Sequence, residues 1–395
     1  MPRSHSRLRH GLRDVRDYGT GRVKKGSLVK EKLKNVAVLF GGKSAEHEVS
    51  VRSGMTVLRA LRDAGYHTVP IGIDRSGRWF LVDDAMLGGI AEAGAVSGEG
   101  VRVVILPGEI PGLRPANATA GDAAIAIDVV FPVLHGPFGE DGCVQGVLEI
   151  LGLPYVGSGV LGSAIGMDKE VQKQLLHAAG LPVVPYTVVL QKNWAQTHAE
   201  LLAWAEAIGY PVFAKPANLG SSVGVSKAAD AAQLTAAVEH AFGFDRKVIV
   251  EKGYPVREIE CAVLGNDEPE ASVLGEIRPR HEFYSYEAKY VDPAGAELIV
   301  PAPVPEGVAT RVRTIACDVF RLLQCAGMAR VDFFLVNEDT VFVNEVNTIP
   351  GFTSISMYPR LWEATGVPLP ELVHRLIELA VERSAARSRL SLRPN

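Results

Sequence analysis

The segment Asn35-Val-Ala-Val-Leu-Phe-Gly-Gly42 sets the fold class. Its apolar run is short, and two glycines stop it. A run of that length bounded by turn residues reads as a strand buried on both faces, the kind found in parallel sheets. Directly after it, Val51, Met55, Val57, Leu58 and Leu61 recur near helical spacing over about 48–64, and 67–73 reads as a second strand. A β-loop-α-β opening is the usual start of a doubly wound parallel sheet, so the chain is expected to be α/β (α+β) with such a sheet in its N-terminal domain.

Working outward, residues 82–125 are rich in Gly and Ala and weakly patterned. They read as a variable insertion, with one short strand at 101–106. A further buried strand at 128–134 runs into His135-Gly-Pro-Phe-Gly-Glu-Asp-Gly142, and a helix follows to about residue 151. Loop composition around Gly157-Ser-Gly159 marks a domain boundary. Beyond it the pattern predicts helices at 162–180, 194–208 and 230–242, and strands at 183–190, 210–215 and 247–251. Strands at about 257–264, 271–277, 327–335 and 341–345 and helices at 305–323 and 368–384 complete the chain, interrupted by a loop-rich stretch, 278–298. The division expected is a basic, disordered tail (1–34), an N-terminal domain (35–157), a central domain (158–253) and a C-terminal domain (254–387) carrying a lid loop at 278–298.

Composition supports a folded, multidomain enzyme-sized chain. It has 395 residues, of which 47% are hydrophobic and 22% charged, close to the globular average. Glycine is raised, 40 of 395, which points to loops where backbone must approach something closely. The net charge of −4 is uneven: residues 1–34 carry eleven Lys and Arg against three acids, leaving an acidic body. An acidic body argues against a nucleic-acid-binding core. The tail suits contact with RNA or an anionic membrane, and equally a solvated tail, a fusion remnant, a miscalled start or a transit peptide. No run approaches 18 apolar residues, so no membrane insertion is expected. Cys143, Cys261, Cys317 and Cys325 are far apart with no CxxC, which fits a reducing cytoplasm better than a disulfide framework or a zinc site.

Three local patterns suggest chemistry. In Phe342-Val-Asn-Glu-Val-Asn347, Glu345 and Asn347 are two apart on a strand and share a face; Asp332, in Arg330-Val-Asp332, can project there from the neighbouring strand. Three hard oxygen ligands suit Mg²⁺ shared with phosphates, although the same alternation also describes a solvated strand face. In Lys215-Pro-Ala-Asn-Leu-Gly-Ser-Ser-Val-Gly224 a Gly/Ser loop can turn backbone N–H groups toward phosphate oxygens, with Lys215 as a cation; a plain β-turn reads the same way. Lys169 is a second possible phosphate cation. Finally, Val248-Ile-Val-Glu-Lys252 ends a strand where backbone groups can meet an adenine, and Glu258 can hold ribose hydroxyls.

Taken in order, these pieces resemble the ATP-grasp superfamily and, within it, the D-alanine–D-alanine ligases. The resemblance covers roughly 36–385 and rests on Gly41-Gly-Lys-Ser-Ala-Glu-His-Glu-Val-Ser50, His135-Gly-Pro-Phe-Gly-Glu-Asp-Gly-Cys-Val-Gln-Gly146 and Met167-Asp-Lys169. It rests further on the 215–224 loop, Tyr284-Ser-Tyr-Glu-Ala-Lys-Tyr290 and Asn344-Glu-Val-Asn-Thr-Ile-Pro-Gly-Phe-Thr-Ser354. The resemblance implies two antiparallel sheets, one from each later domain, that clamp ATP. It implies phosphorylation of one D-alanine to an acyl phosphate and attack by the amine of a second, for peptidoglycan precursor synthesis. Lys169 and Lys215 would hold phosphates, and Gly220, Ser221, Ser222 and Val223 would cap them. Glu251 and Lys252 would meet adenine and Glu258 ribose. Asp332, Glu345 and Asn347 would carry two Mg²⁺, with Mn²⁺ as a substitute.

On the substrate side, the resemblance gives Glu46 to the first D-alanine's ammonium, with Val49 and His135 beside it. Arg330 and the Gly351 backbone would meet the developing oxyanion. Lys289, Ser356 and Met357 would receive the second substrate, and Tyr290 would close the lid on Ser221. The intact Tyr290 string favours D-alanine over D-lactate at the second site; D-serine is separated from D-alanine by only one hydroxyl. A homodimer is implied. The rival readings are a ligase for D-serine or D-lactate, another ATP-grasp carboxylate–amine ligase, and a regulatory relative without chemistry.

Overall fold

The computed structural model describes residues 35–98, 100–106, 112–117, 124–279 and 295–390. The expected opening is there: β1 (Asn35–Gly41), α1 (His47–Asp63) and β2 (His67–Ile73), with β1 and β2 parallel from Asn35 opposite His67 to Gly41 opposite Ile73. β1 ends at Gly41 for a steric reason. Its φ is +93°, and a Cβ there would lie 2.2 Å from the Ile73 carbonyl oxygen, so only glycine lets the chain turn toward the loop.

The rest of this sheet departs from the expected pattern. After β2 come β3 (Trp79–Leu81), α2 (Asp84–Ala93), β4 (Val101–Leu106), β5 (Gly112–Pro115), β6 (Ile125–Ala126) and β7 (Val129–Pro132). The order across the sheet is β6-β5-β4-β3-β2-β1-β7. Only β2, β1 and β7 run parallel; from β2 outward every pairing is antiparallel. The link from β2 to β3 is too short for a crossover helix, so the strand must fold straight back. The 82–125 stretch is therefore no insertion but contributes the outer strands of the sheet. These strands are short and one-sided, with Val101, Val104 and Ile125 exposed, so they carry little periodic signal.

α3 (Cys143–Ile150) follows, and the single helix expected over 162–180 is two: α4 (Val160–Met167) and α5 (Lys169–Ala178). Asp168 breaks them. Its backbone is extended, and its carboxylate caps α5 by accepting from the N–H groups of Glu170 and Val171, both at 3.1 Å. A four-stranded antiparallel sheet comes next, built from β8 (Tyr186–Leu190), β9 (Val212–Pro216), β10 (Ser226–Ala228) and β11 (Lys247–Lys252), in the order β10-β9-β11-β8. It is covered by α6 (Trp194–Ile208) and α7 (Ala231–Ala241), whose Leu201, Ala205, Leu234 and Val238 pack on Val212, Ala214 and Val250.

The last sheet has five strands: β12 (Arg257–Gly265), β13 (Glu270–Pro279), β14 (Ala296–Ile299), β15 (Gly327–Val336) and β16 (Thr340–Asn347), ordered β14-β13-β12-β15-β16 and antiparallel throughout. Both ends of the stretch read as loop-rich are strand: Arg278 pairs with Glu297. α8 (Glu306–Leu322) packs on this sheet through Val312, Ala316 and Phe320. A helix the sequence reading did not foresee, α9 (Met357–Ala364), precedes α10 (Leu369–Ser388). α10 joins the first core, where Leu372, Leu376 and Ile377 meet Val57 and Leu61 of α1, and Tyr66 Oη lies 2.6 Å from His374 Nδ1. Among the described residues, no helix is long and apolar enough to cross a membrane. The lid positions Tyr290 and Lys289 and the basic tail lie outside the described residues.

Candidate active site

The cleft between the four- and five-stranded sheets is built on charge. Asp332 and Glu345 face each other in register across β15 and β16, and Asn347 sits opposite Arg330. Asn347 Nδ2 donates to Asp332 Oδ2 at 3.0 Å, so the three oxygen-bearing residues expected to share a face do so. Arg330 grips Asp332 with both Nε and NH2, each at 2.7 Å, and Nε also lies 3.0 Å from Glu260 Oε2. Lys169, at the start of α5, donates to the Leu219 carbonyl at 2.7 Å and lies 3.1 Å from Glu345 Oε2. One ammonium therefore touches both the glycine loop and the carboxylate face.

Lys215 points into the same cleft from β9, its Nζ 5.7 Å from the centre of the Phe334 ring and 2.6 Å from Glu251 Oε2. Burial alone would lower its pKa; the Glu251 carboxylate, helped by Glu345 and Glu258, outweighs that and raises it. Burial likewise pushes Glu251 up, but the Lys173 and Lys215 ammonium groups hold it at about 2. The Glu251 carboxylate is thus committed to two lysines, and what this residue can present to a base is its backbone. Lys252 turns its ammonium to the carbonyls of Gly209 and Tyr210, at 2.8 and 3.1 Å. Glu258 lies beside Phe334 in register on β12.

The 220–224 loop is held in an uncommon conformation. Ser221 and Ser222 have φ of +52° and +60°, a region that non-glycine residues rarely visit and that clusters at functional loops. Ser221 Oγ donates to Glu46 Oε1, and a Cβ on Gly220 would lie 3.2 Å from Glu46 Oε2. The loop is thereby closed onto the start of α1, where the resemblance had paired Ser221 with Tyr290.

Beside this contact lies a cavity of about 160 Å³, well below the ~300–1,000 Å³ of pockets for drug-sized ligands. It is lined by Glu46, Val49 and His135, by Gly220 and Ser221 of the loop, and by Arg330, Glu345 and Asn347 of β15 and β16. Gly351, Ser356 and Met357 line it as well. His135 is neutral at pH 7: burial, and secondarily the Arg330 guanidinium, hold its pKa near 4 against the bond to Ile349. Its Nδ1 donates to the Ile349 carbonyl at 3.1 Å, and Nε2 lies 3.3 Å from Ser53 Oγ. Ser356 stands at the N-cap of α9, its hydroxyl 2.8 Å from Thr353 Oγ1 and accepting from the Thr353 N–H at 2.9 Å. The free N–H groups of that first turn suit a carboxylate.

Three residues of the site escaped the sequence reading. Glu140 accepts from the N–H groups of Gly136 (2.7 Å) and Ile349 (3.3 Å), tying the 135–142 loop to the end of β16. Burial first, then the charge of Glu46, pushes its pKa up to about 8. Glu260, two residues beyond Glu258 on the same face of β12, supports Arg330; strand alternation alone could have flagged it. Lys173, one helical turn after Lys169, is fully buried against Glu251. Of the residues expected at the site, Lys289 and Tyr290 lie outside the described residues; the others gather at this cleft and cavity or, for Lys252, at its edge.

The donor set fits magnesium better than softer metals. It holds carboxylates and an amide, with no thiolate or imidazole. Among the described residues no group of three or more His, Cys, Asp or Glu is assembled that could hold a metal alone, so phosphate oxygens would have to complete the coordination.

Comparison with known proteins gives two family matches. The family model described as D-ala D-ala ligase N-terminus matches residues 35–158, and that described as D-ala D-ala ligase C-terminus matches 175–378. The chain is 47% identical over 359 residues to the D-alanine–D-alanine ligase A of Salmonella typhimurium, covering 90% of this chain and 98% of that one. A solved D-alanine–D-alanine ligase from Coxiella burnetii superposes with a TM-score of 0.77 at 37% identity, covering 91% of this chain and 97% of that one. The VanG D-Ala:D-Ser ligase of Enterococcus faecalis superposes with a TM-score of 0.77 at 35% identity, covering 88% and 99%.

Proposed function

This chain belongs to the D-alanine–D-alanine ligase family, and from that membership we infer that it joins two D-alanines to D-alanyl-D-alanine at the expense of ATP, for peptidoglycan precursors. The observation that carries this reading is the convergence of Glu46, Arg330 and Gly351 on one small cavity that opens at the Asp332–Glu345 face. An amino acid bound there has its ammonium at Glu46 and its carboxylate toward Arg330 and the nucleotide cleft. We read domain boundaries at 157/158 and 253/254 because each of the three sheets takes its strands from one of the resulting segments.

Lys169 and Lys215 offset the charge of the phosphates while the 220–224 loop covers them. The backbone at the end of β11, residues 251–252, meets the adenine, and Glu258 the ribose. Asp332, Glu345 and Asn347 would hold two Mg²⁺, or Mn²⁺ in their place, which neutralise phosphate charge when bound. Arg330, held in orientation by Glu260 and Asp332, and the Gly351 N–H stabilise the oxyanion that develops when the second amine attacks the acyl phosphate. Ser356 and Met357 at the start of α9, with Lys289, take the second substrate's carboxylate. Tyr290 closes the lid against water, which matters because an acyl phosphate hydrolyses readily.

The functional assay is phosphate release from ATP and Mg²⁺ with D-alanine, D-serine or D-lactate as the second substrate. D-alanine is expected to support the fastest release and to yield the dipeptide; faster turnover with D-serine, the substrate named for the Enterococcus protein, would shift the assignment. The reaction consumes ATP, which places it in the cytoplasm. We read the chain as a homodimer, a state that the exposed Val147 and Ile150 on α3 and Leu161 on α4 would serve.

Glu140 gives this binding step a pH signature. With a pKa of about 8 it holds a proton at pH 7, and an ammonium arriving beside Glu46 favours the ionised form. Binding the first D-alanine therefore releases a proton. Its KM is expected to fall with rising pH, by at most about tenfold per unit, and to level off near pH 8. Steady-state KM between pH 6 and 9 measures this, and a flat profile removes Glu140 from the binding step.

A further inference from the structure

We propose that Lys173 is a positioning residue of this active site: it is the fixed counter-ion of Glu251, and so frees the charge of Lys215 for the nucleotide's phosphates. The inference rests on the reading of the cleft as an ATP site and adds to it a residue that touches no substrate. The Lys173 side chain is 1% exposed and cannot reach the cleft. Its Nζ lies 3.0 Å from Glu251 Oε1 and donates to the Asn344 carbonyl at 3.1 Å. The other oxygen of the same carboxylate, Oε2, accepts from Lys215 Nζ at 2.6 Å. One buried carboxylate is thus held from two sides, by a lysine sealed in the core and by a lysine that faces the cleft.

The charge balance explains why two cations are needed. A lone Glu251–Lys215 pair would be closed on itself. Drawing Lys215 toward a phosphate would then strand a buried carboxylate, and leaving a buried charge without its partner costs far more than a surface pair is worth. With Lys173 in place, Glu251 keeps a cation whatever Lys215 does. Without Lys173, the Glu251 carboxylate would have to keep Lys215 as its cation, and Lys215 could not turn to a phosphate without stranding it. The Asn344 bond adds geometry, because it pins α5 to β16 at the residue before Glu345. Lys173 thereby holds both a phosphate cation of one sheet and the carboxylate strand of the other.

The test is a double-mutant cycle on the full chain, read as the dissociation constant of Mg·ATP by calorimetry, with Lys173→Met, Glu251→Gln and the double variant. Lys173→Met is expected to weaken binding by about tenfold or more in the wild-type background, because Glu251 then captures Lys215. In the Glu251→Gln background the same substitution should cost less than about threefold, since no carboxylate remains to capture it. Equal losses in both backgrounds, or no loss in either, overturn the proposal. Should Lys173→Met alone fail to fold, Glu251→Gln and the double variant decide: affinities within about threefold of each other support it, and a tenfold gap overturns it. A wild-type chain without affinity for Mg·ATP would instead overturn the reading of the cleft itself.

Discussion

Glu345→Gln is expected to lower phosphate release by about 10³-fold while leaving the fold intact. The substitution keeps the volume of the side chain and removes one of the two anionic groups on the face formed by β15 and β16. What remains is Asp332, already shared between Arg330 and Asn347. A divalent ion bridging phosphates then has one carboxylate fewer to bind it, and the negative charge on the phosphates is met by Lys169 and Lys215 alone. Stability should change little. The Lys169–Glu345 contact, at 3.1 Å, joins side chains that are only 13% and 23% exposed, but glutamine keeps an acceptor oxygen for Lys169, which also retains its bond to the Leu219 carbonyl. Thermal melting beside phosphate release separates the two effects. A variant with a native melting curve and near wild-type release would show that the carboxylate face is not the metal site. Calorimetry of Mg·ATP should place the loss in the metal-dependent part of binding, with ATP alone bound about as before.

How much of this was legible in the sequence depends on which physical signal each part carries. β1 and β2 are nearly all buried and read as near-continuous apolar runs, while β12 and β15 are apolar stretches interrupted by Glu258, Glu260, Arg330 and Asp332; all four match the expected strands within a residue or two. Of the outer strands, β4 was legible as the short apolar run at 101–106, but β3, β5 and β6 are two to four residues long, and no period can emerge over such lengths. The break at Asp168 lies inside a helical pattern that continues on both sides; only the cap bonds to Glu170 and Val171 reveal it. α9 was missed because Pro359 falls in its first turn, where proline is tolerated but reads as a breaker. The same logic sorts the site. Asp332, Glu345 and Asn347 are spaced by strand geometry, which a sequence displays directly. Lys173 and Glu140 act through partners 78 and 209 residues away, Glu251 and Ile349, and no local pattern encodes such a pairing.

Arg330→Lys should reduce kcat by about 10²–10³-fold while changing the KM for ATP and for D-alanine little. Complete removal of the side chain would not test this cleanly. Glu260 is buried and Asp332 nearly so, and without a cation between them two carboxylates would face each other across β12 and β15. Lysine keeps that cation, so the sheet should remain folded and the metal face should keep its charge. What lysine cannot supply is the planar fork that engages Asp332 through Nε and NH2 at once while Nε also lies 3.0 Å from Glu260. In the wild type those two carboxylates fix the guanidinium plane, and a donor fixed before charge develops stabilises it without having to reorganise. A lysine ammonium on a flexible stem is drawn to either carboxylate and is not held toward the cavity. The loss should therefore fall on the chemical step, so that kcat and kcat/KM drop together. A rise in KM with kcat preserved would show that Arg330 serves only to bind substrate, and would move the oxyanion role to the Gly351 backbone alone.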